Sequence, residues 1–151
     1  MRKLITAALL ACALCACGDS SGPVADIPAQ LVGEWRADAA CVPPCSFTLT
    51  WKSDPRASLD AISLGMALRM EIEKSGRFVF GDVSAMPPAG QLRVVGQQLI
   101  ITDSHGVVDT VTYRFEGTAL RLDFRREFTV LDFNADGVKD ASTAAGVFVR
   151  R

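Results

Sequence analysis

The sequence is poor in the side chains that most enzymes use for chemistry. Its single histidine, His105, stands between Ser104 and Gly106, where we predict a solvated turn rather than a general base. A phosphate-binding glycine loop, a zinc-type histidine cluster and a nucleophile elbow are all missing from the sequence. We therefore predict that the chain is not an enzyme.

A surplus of positive charge is missing as well. The chain has 16 lysines and arginines against 17 aspartates and glutamates, interleaved along its length, and a formal net charge of −1. A nucleic-acid-binding protein usually has a cluster of basic residues, and this charge distribution shows none. We predict no nucleic-acid partner, and we expect a monomer.

The sequence also lacks an apolar run long enough to cross a membrane as a helix. The run from Leu4 to Ala16 follows the basic pair Arg2 and Lys3, and it is shorter than the roughly 20 residues that a spanning helix needs. A basic start followed by a short apolar run indicates a secretory signal peptide. The run leads into Leu14-Cys15-Ala16-Cys17, which resembles the lipobox of bacterial lipoproteins.

That resemblance implies cleavage before Cys17, with residues 1–16 as the signal peptide and residues 17–26 as a lipidated tether. Acyl chains such as palmitate on Cys17 would anchor the protein to a membrane, because several chains together hold a protein firmly. Gly18 is not the aspartate that retains such proteins in the inner membrane. The resemblance therefore implies the outer membrane of the cell envelope, facing the periplasm. Two alternatives are cleavage before Cys12 and an ordinary secretion signal.

Two further cysteines, Cys41 and Cys45, lie in the part of the chain that would be exported. A cysteine pair in an oxidising compartment usually forms a disulfide bond. The loop that it closes is short and already restricted by two prolines, so we expect a modest contribution to stability. The alternative is a redox-active pair.

Apolar side chains recur at every second position from residue 31 onward, which predicts strands with one buried face. Short turns between successive strands predict an antiparallel up-and-down meander. The predicted strands cover residues 31–37, 46–52, 66–73, 77–83, 91–95, 98–102, 107–115, 118–130 and 146–151. A closed antiparallel barrel needs an even number of strands, so we expect residues 31–52 to form one long strand bent at the cysteine loop. The prediction is an all-β barrel of about eight strands.

One segment departs from the alternating pattern. Asp54 can cap a helix, and Pro55 suits the first turn of one. We predict a short helix over residues 54–64, lying near one mouth of the barrel.

The first predicted strand carries Gly33-Glu34-Trp35, which resembles the Gly-x-Trp signature of lipocalins and fatty-acid-binding proteins. With the meander, the resemblance covers residues 27–151 and looks most like the small bacterial lipocalin-like lipoproteins. It implies that Trp35 closes one end of the barrel and that Arg150 or Arg151 packs across its indole. The acidic-basic motif of the family's mid-chain turn is not recognisable here. The alternative is that Trp35 is a core aromatic of another β fold.

The longer connections of the meander, at residues 53–65, 84–90 and 131–145, fall at one end, which would be the mouth of the barrel. The inward-phased side chains that could contact a ligand are Met70, Phe78, Phe80, Asp109, Tyr113 and Arg126. The interior either holds a small hydrophobic ligand or is filled by its own side chains.

Two charged residues, Asp109 and Arg126, share the apolar phase of their strands. A two-residue turn at Glu116-Gly117 would pair Asp109 with Phe124, which makes Asp109 and Arg126 diagonal neighbours. Arg126 could then bind a ligand carboxylate with its two-pronged guanidinium. The alternative is that the two residues pair with each other at a wet rim.

The segment from Asp132 to Asp140 resembles the first nine positions of calcium loops in EF-hand-like families. Its oxygen ligands would be Asp132, Asn134, Asp136, the carbonyl of Val138 and Asp140, with Gly137 making the sharp turn. Thr143 stands where those loops carry a glutamate, so we expect weak binding of Ca²⁺ in a structural role. The alternative is an Asx- and glycine-rich turn without a metal.

Two functional hypotheses follow from the sequence. The first is a membrane-anchored, lipocalin-like lipoprotein of the cell envelope that binds a small hydrophobic ligand. The second is a filled β-barrel that acts as a protein-interaction or inhibitor module. The interior volume discriminates between them, because a ligand pocket usually measures a few hundred cubic ångströms.

Overall fold

The computed structural model describes residues 26–42, 44–84, 89–129, 132 and 135–151, and these residues form an all-β fold. The predicted signal peptide, Cys17 and the rest of the predicted tether before residue 26 lie outside the described residues. The strands are β1 (Gly33–Ala37), β2 (Ser46–Trp51), β3 (Ser58–Asp60), β4 (Leu68–Ile72), β5 (Arg77–Asp82), β6 (Ala89–Val95), β7 (Gln98–Thr102), β8 (Val108–Glu116), β9 (Ala119–Phe128) and β10 (Ser142–Arg150).

The strands form one antiparallel sheet that closes on itself. From β4 to β10 each strand pairs with the next one along the chain, and β10 then pairs with β1, which pairs with β4. The result is the closed eight-stranded up-and-down barrel that the alternating pattern predicts.

The ten strand segments make eight barrel strands because two of those strands are interrupted. β1 and β2 both run along β10, where Arg36 is opposite Val149 and Ser46 is opposite Val147. The described residues between them, 38–42 and 44–45, loop out, and the Cys41–Cys45 disulfide closes the loop with 5.6 Å between the two Cα atoms. The prediction of one long strand bent at the cysteine loop is therefore confirmed.

The second interruption corrects the helix that we predicted over residues 54–64. Ser58–Asp60 forms β3 instead, with Leu59 opposite Leu49 of β2, and a series of turns then leads to β4. Asp54 caps no helix, since its Oδ1 accepts the N–H of Arg56 within a tight turn. The helix prediction is wrong because the pairing with β2 satisfies the backbone of this segment, and a local capping signal does not outweigh a sheet.

Side chains fill the interior of the barrel. The largest fully buried ones are Trp35, Phe148, Leu31, Met70, Ile72, Leu99, Leu120, Leu122 and Val111. Gly146 has no side chain for a steric reason, since a Cβ atom there would lie 2.5 Å from Phe148 and 3.1 Å from Phe47. Tight packing of this kind is normal for an eight-stranded barrel, whose interior is just wide enough for side chains.

One end of the barrel is sealed by Trp35, which is 1% exposed. Its Nε1 donates a hydrogen bond of 2.9 Å to the carbonyl of Leu31, and the guanidinium carbon of Arg150 lies 4.9 Å from the centre of its ring. Arg150 also donates a hydrogen bond to the carbonyl of Gln30. The last strand thus clamps both the indole and the lead-in segment before β1.

We expect Arg150→Ala to lower the free energy of unfolding by about 1–2 kcal/mol, because it removes a cation–π contact and a hydrogen bond. The matched control is Arg151→Ala, which removes an exposed ion pair with Glu34 and should cost less than about 0.5 kcal/mol. Urea unfolding of the two variants measures the difference. Equal losses in both would contradict a specific clamp on Trp35.

Candidate functional site

The two ends of the barrel differ in their connections. Tight turns at residues 73–76, 96–97 and 117–118 lie at the end that Trp35 seals. The opposite end carries the longer connections, including the described residues 129, 132 and 135–141 and the turn at 103–107. This opposite end is the mouth of the barrel.

A pocket of about 170 Å³ opens at the mouth. Its walls are apolar and mostly aromatic, with three charged side chains among them. The lining residues are Phe78, Phe80, Ile101, Asp103, Val107, Asp109, Phe124, Arg126 and Phe128. The pocket is smaller than the 300–1,000 Å³ that ligand sites usually measure, because buried side chains fill the barrel beneath it.

The alternation of each strand places these residues in the pocket. Phe124, Arg126 and Phe128 occupy every second position of β9, and Phe78 and Phe80 do the same on β5. Successive side chains of a strand point to opposite faces, so each run sends its members inward. The rings contact one another, with centroids of Phe80 and Phe124 5.6 Å apart and those of Phe124 and Phe128 5.7 Å apart.

The register between β8 and β9 differs from the one that the sequence suggested. The turn lies at Gly117-Thr118 rather than Glu116-Gly117, and Phe124 is opposite Val111 instead of Asp109. Gly117 takes the positive φ of 63° that this turn requires. Because the shift is by two residues, every side chain keeps its face, and Asp109 and Arg126 still reach the same pocket.

Asp109 and Arg126 are close, but they form no ion pair of 4.0 Å or less among the contacts of the described residues. The Oδ1 of Asp109 accepts a 2.7 Å hydrogen bond from the N–H of Thr110. Burial raises the pKa of Asp109, and neither this hydrogen bond nor the charge of Arg126 fully offsets the effect. Asp109 is therefore a half-buried carboxylate whose charge is incompletely compensated.

Asp103, the second carboxylate of the pocket, is held by its own turn. Its Oδ1 accepts hydrogen bonds from the N–H groups of Val107, at 2.9 Å, and His105, at 2.8 Å. The bond from Val107 is the main reason why the pKa of Asp103 lies below its usual range. The two carboxylates of the pocket thus have opposite pKa shifts, one stabilised by backbone donors and the other destabilised by burial.

We expect Asp109→Asn to stabilise the protein at pH 7. A raised pKa in the folded state means that Asp109 supports folding below the ordinary aspartate value of 3.8, and that this support is lost as the pH rises through the raised pKa. Asparagine removes the charge and keeps the acceptor for Thr110. The gain should be well under about 1 kcal/mol, since solvent screens a half-exposed group, and it should vanish below pH 3.8.

Thermal unfolding between pH 3 and 8 checks this expectation. The matched control is Asp123→Asn, because Asp123 lies on the outer face of β9 and pairs with Arg121 and Arg114. That variant should gain no stability at pH 7. A gain in Asp109→Asn that stays constant down to pH 3 would show that the carboxylate charge is not the cause.

The other two predicted ligand contacts lie outside the mouth pocket. Met70 is 0% exposed in the core, opposite Trp35 on one side and Phe80 on the other. The hydroxyl of Tyr113 donates a hydrogen bond of 3.3 Å to the carbonyl of Gly96, at the sealed end. Phe124, whose phase predicts an inward position, and Phe128 also line the pocket. Their alternation with Arg126 along β9 is the sequence signal that indicates this.

The described residues of the predicted calcium segment form a hydrogen-bonded turn near the mouth. The carboxylate of Asp132 accepts N–H groups of Asp136, at 3.2 Å, and Gly137, at 2.7 Å, and Asp136 accepts that of Val138 at 2.8 Å. Asn134 lies outside the described residues. Across the part of the chain that the structure describes, no group of three or more His, Cys, Asp or Glu residues could hold a metal ion. The carboxylates of Asp132 and Asp136 act as acceptors for the turn.

Comparison with protein-family models, curated proteins and solved structures finds no match for this chain. Within the described ranges, no helix is long and apolar enough to cross a membrane.

Proposed function

We propose that the chain is a lipid-anchored, lipocalin-like lipoprotein of the bacterial cell envelope that binds a small hydrophobic ligand at the mouth of its barrel. The mouth pocket is the observation that supports binding. Its volume of about 170 Å³ is close to that of a dry protein cavity of roughly 150 Å³ that takes up benzene. The ligand is therefore a group of about one ring, and a long acyl chain has no room in the filled interior.

The lipobox at Cys17 supports the anchor, and the outer membrane is the proposed location. Ile27 and Leu31, which follow the tether, are buried at the sealed end of the barrel. The anchor therefore joins the barrel opposite its mouth. In this arrangement the mouth is expected to face the periplasm, where a small ligand can reach it.

A second candidate function is a protein-interaction or inhibitor module, and the filled interior favours it. A barrel without a large cavity can still present its mouth to a partner. The pocket would then receive one apolar side chain of that partner, next to the exposed Val108, which neighbours the lining residue Val107. Protein interfaces often centre on such an anchored side chain.

The ligand proposal predicts a sharp limit on ligand size. We expect the protein lacking residues 1–17 to bind benzyl alcohol and to ignore dodecanoate, as measured by changes in its two-dimensional amide NMR spectrum. Val107→Trp should weaken the binding of benzyl alcohol at least 10-fold, because Val107 lines the pocket and the larger side chain fills it. Val108→Trp is the matched control, since its neighbour Val108 is 61% exposed and does not line the pocket.

Native mass spectrometry of the same protein, purified from cells without delipidation, separates the two candidate functions. A co-purifying small hydrophobic mass supports the ligand. A bare protein that also fails to bind benzyl alcohol favours the interaction module. Tight binding of dodecanoate would contradict the ring-sized limit and mean that the barrel opens.

We also propose weak calcium binding by the loop at residues 132–140. Titration calorimetry should detect heat at millimolar Ca²⁺, since the loop lacks the glutamate that completes strong sites. Asp136→Ala should abolish this heat, whereas Lys139→Ala, in the same loop, should preserve it. No heat at about 10 mM Ca²⁺ would leave the loop as a turn without a metal.

A further inference from the structure

We infer that the mouth pocket selects ligands that carry a positive charge, such as a ring-sized amine, over ligands that carry a carboxylate. The inference rests on the proposed function, because it assigns a ligand class to the pocket proposed above. Its basis is the balance of charged side chains in the pocket lining and the difference in hydrogen bonding and burial between the two carboxylates there.

The charged lining of the pocket has a negative balance. Asp103 and Asp109 contribute two carboxylates, and Arg126 contributes one guanidinium. Residues 85–88, 130–131 and 133–134 of the neighbouring connections are not described, but their sequence contains no charged side chain. A cation inside the pocket is therefore attracted by two groups and repelled by one, and the reverse holds for an anion.

The two carboxylates do not contribute equally. Asp103 already accepts two backbone N–H groups, which stabilise its charge without any ligand. Among the described residues Asp109 accepts one such group, at Oδ1, and partial burial removes some of its solvent. A ligand ammonium placed against Asp109 would supply the missing donors, and a hydrogen bond between charged partners is stronger than one between neutral groups.

Arg126 is placed differently from Asp109. Its side chain is exposed, so water solvates the guanidinium and screens its attraction for an anion. A carboxylate that reached Arg126 would also lie near Asp109, whose charge the pocket already disfavours. The sequence suggested Arg126 as a receptor for a carboxylate, but the charge balance of the assembled pocket favours the opposite sign.

The aromatic walls favour a cation as well. Phe78 and Phe80 stack with centroids 6.3 Å apart, and the chain of ring contacts continues through Phe124 to Phe128. An aromatic ring attracts a cation to its electron-rich face, and the attraction grows when water is excluded. An amine attached to a small apolar body thus suits both the walls and Asp109.

Three probes of matched size test the sign of the preferred charge, namely 2-phenylethylamine, 2-phenylethanol and phenylacetate. Their affinities for the protein lacking residues 1–17 are measured by NMR titration at pH 8 and low salt. We expect the amine to bind roughly 10-fold more tightly than the alcohol, as for a hydrogen bond between charged groups. Phenylacetate should bind most weakly of the three.

Two variants, one that removes a negative charge from the pocket and one that removes its positive charge, are expected to change the affinity for the amine in opposite directions. Asp109→Asn should reduce the affinity for the amine to that for the alcohol, while Arg126→Gln should increase it. Arg125→Gln is the matched control, because Arg125 neighbours Arg126 on β9 but does not line the pocket. It should change none of the affinities more than 2-fold, as expected for a screened surface charge.

The outcomes separate this inference from the proposed function. Binding of the alcohol tests the pocket itself, so if none of the three probes binds, the proposed function fails. If the alcohol binds but phenylacetate outcompetes the amine and depends on Arg126, the inference is overturned and the proposed function stands. Should Asp109→Asn fail to fold, Arg126→Gln still decides, because a cation-selective pocket gains affinity for the amine and an anion-selective pocket loses affinity for phenylacetate.

Discussion

The pairing of β10 with both β9 and the interrupted first strand is the contact on which the structure depends. Along one edge β10 is hydrogen-bonded to β9, and along the other to β2 and then β1. Without the second edge the chain would be an open, twisted sheet with two unpaired borders. Closure pairs those two borders with each other and defines an inside, so that the alternation of every strand acquires a buried face.

Closure also explains why the site is small and lies at one end. Eight strands enclose a space that side chains can just fill, and here Trp35, Met70, Leu120 and Phe148 fill it. The sealed end is fixed by the indole of Trp35 under Arg150. At the mouth this packing stops, and β8 and β9 carry Asp109 and Arg126 there among aromatic rings of β5 and β9. The same rule that builds the core therefore leaves a charged, apolar recess at its edge.

The strands, their faces and the meander could be predicted from the sequence, because apolar side chains at every second position show directly which residues face the core. The long first strand was predictable from a parity argument, and the contact of Arg150 with Trp35 is the one that the family resemblance implied. The structure of residues 54–64 could not be predicted in the same way. Its capping signal is local, whereas its pairing partner, β2, is a separate segment of the chain. The alternation of β8 alone predicted that Tyr113 faces the inside, but it could not show whether Tyr113 lies at the sealed end or at the mouth. It also brought Asp109 near Arg126 without giving the distance that decides whether they pair.

The first and last strands of the barrel have a consequence for how the molecule is made. Trp35 and Arg150, which face each other across the closing ladder, are separated by almost the whole folded domain. The chain is synthesised from its amino terminus, so β1 is complete long before its partner exists. Until β10 arrives, the edge of β1 that will pair with it is available to other chains, and contacts of such long range form slowly. The step most exposed to misassembly is thus the final one, when the ends of the chain meet and the indole is covered.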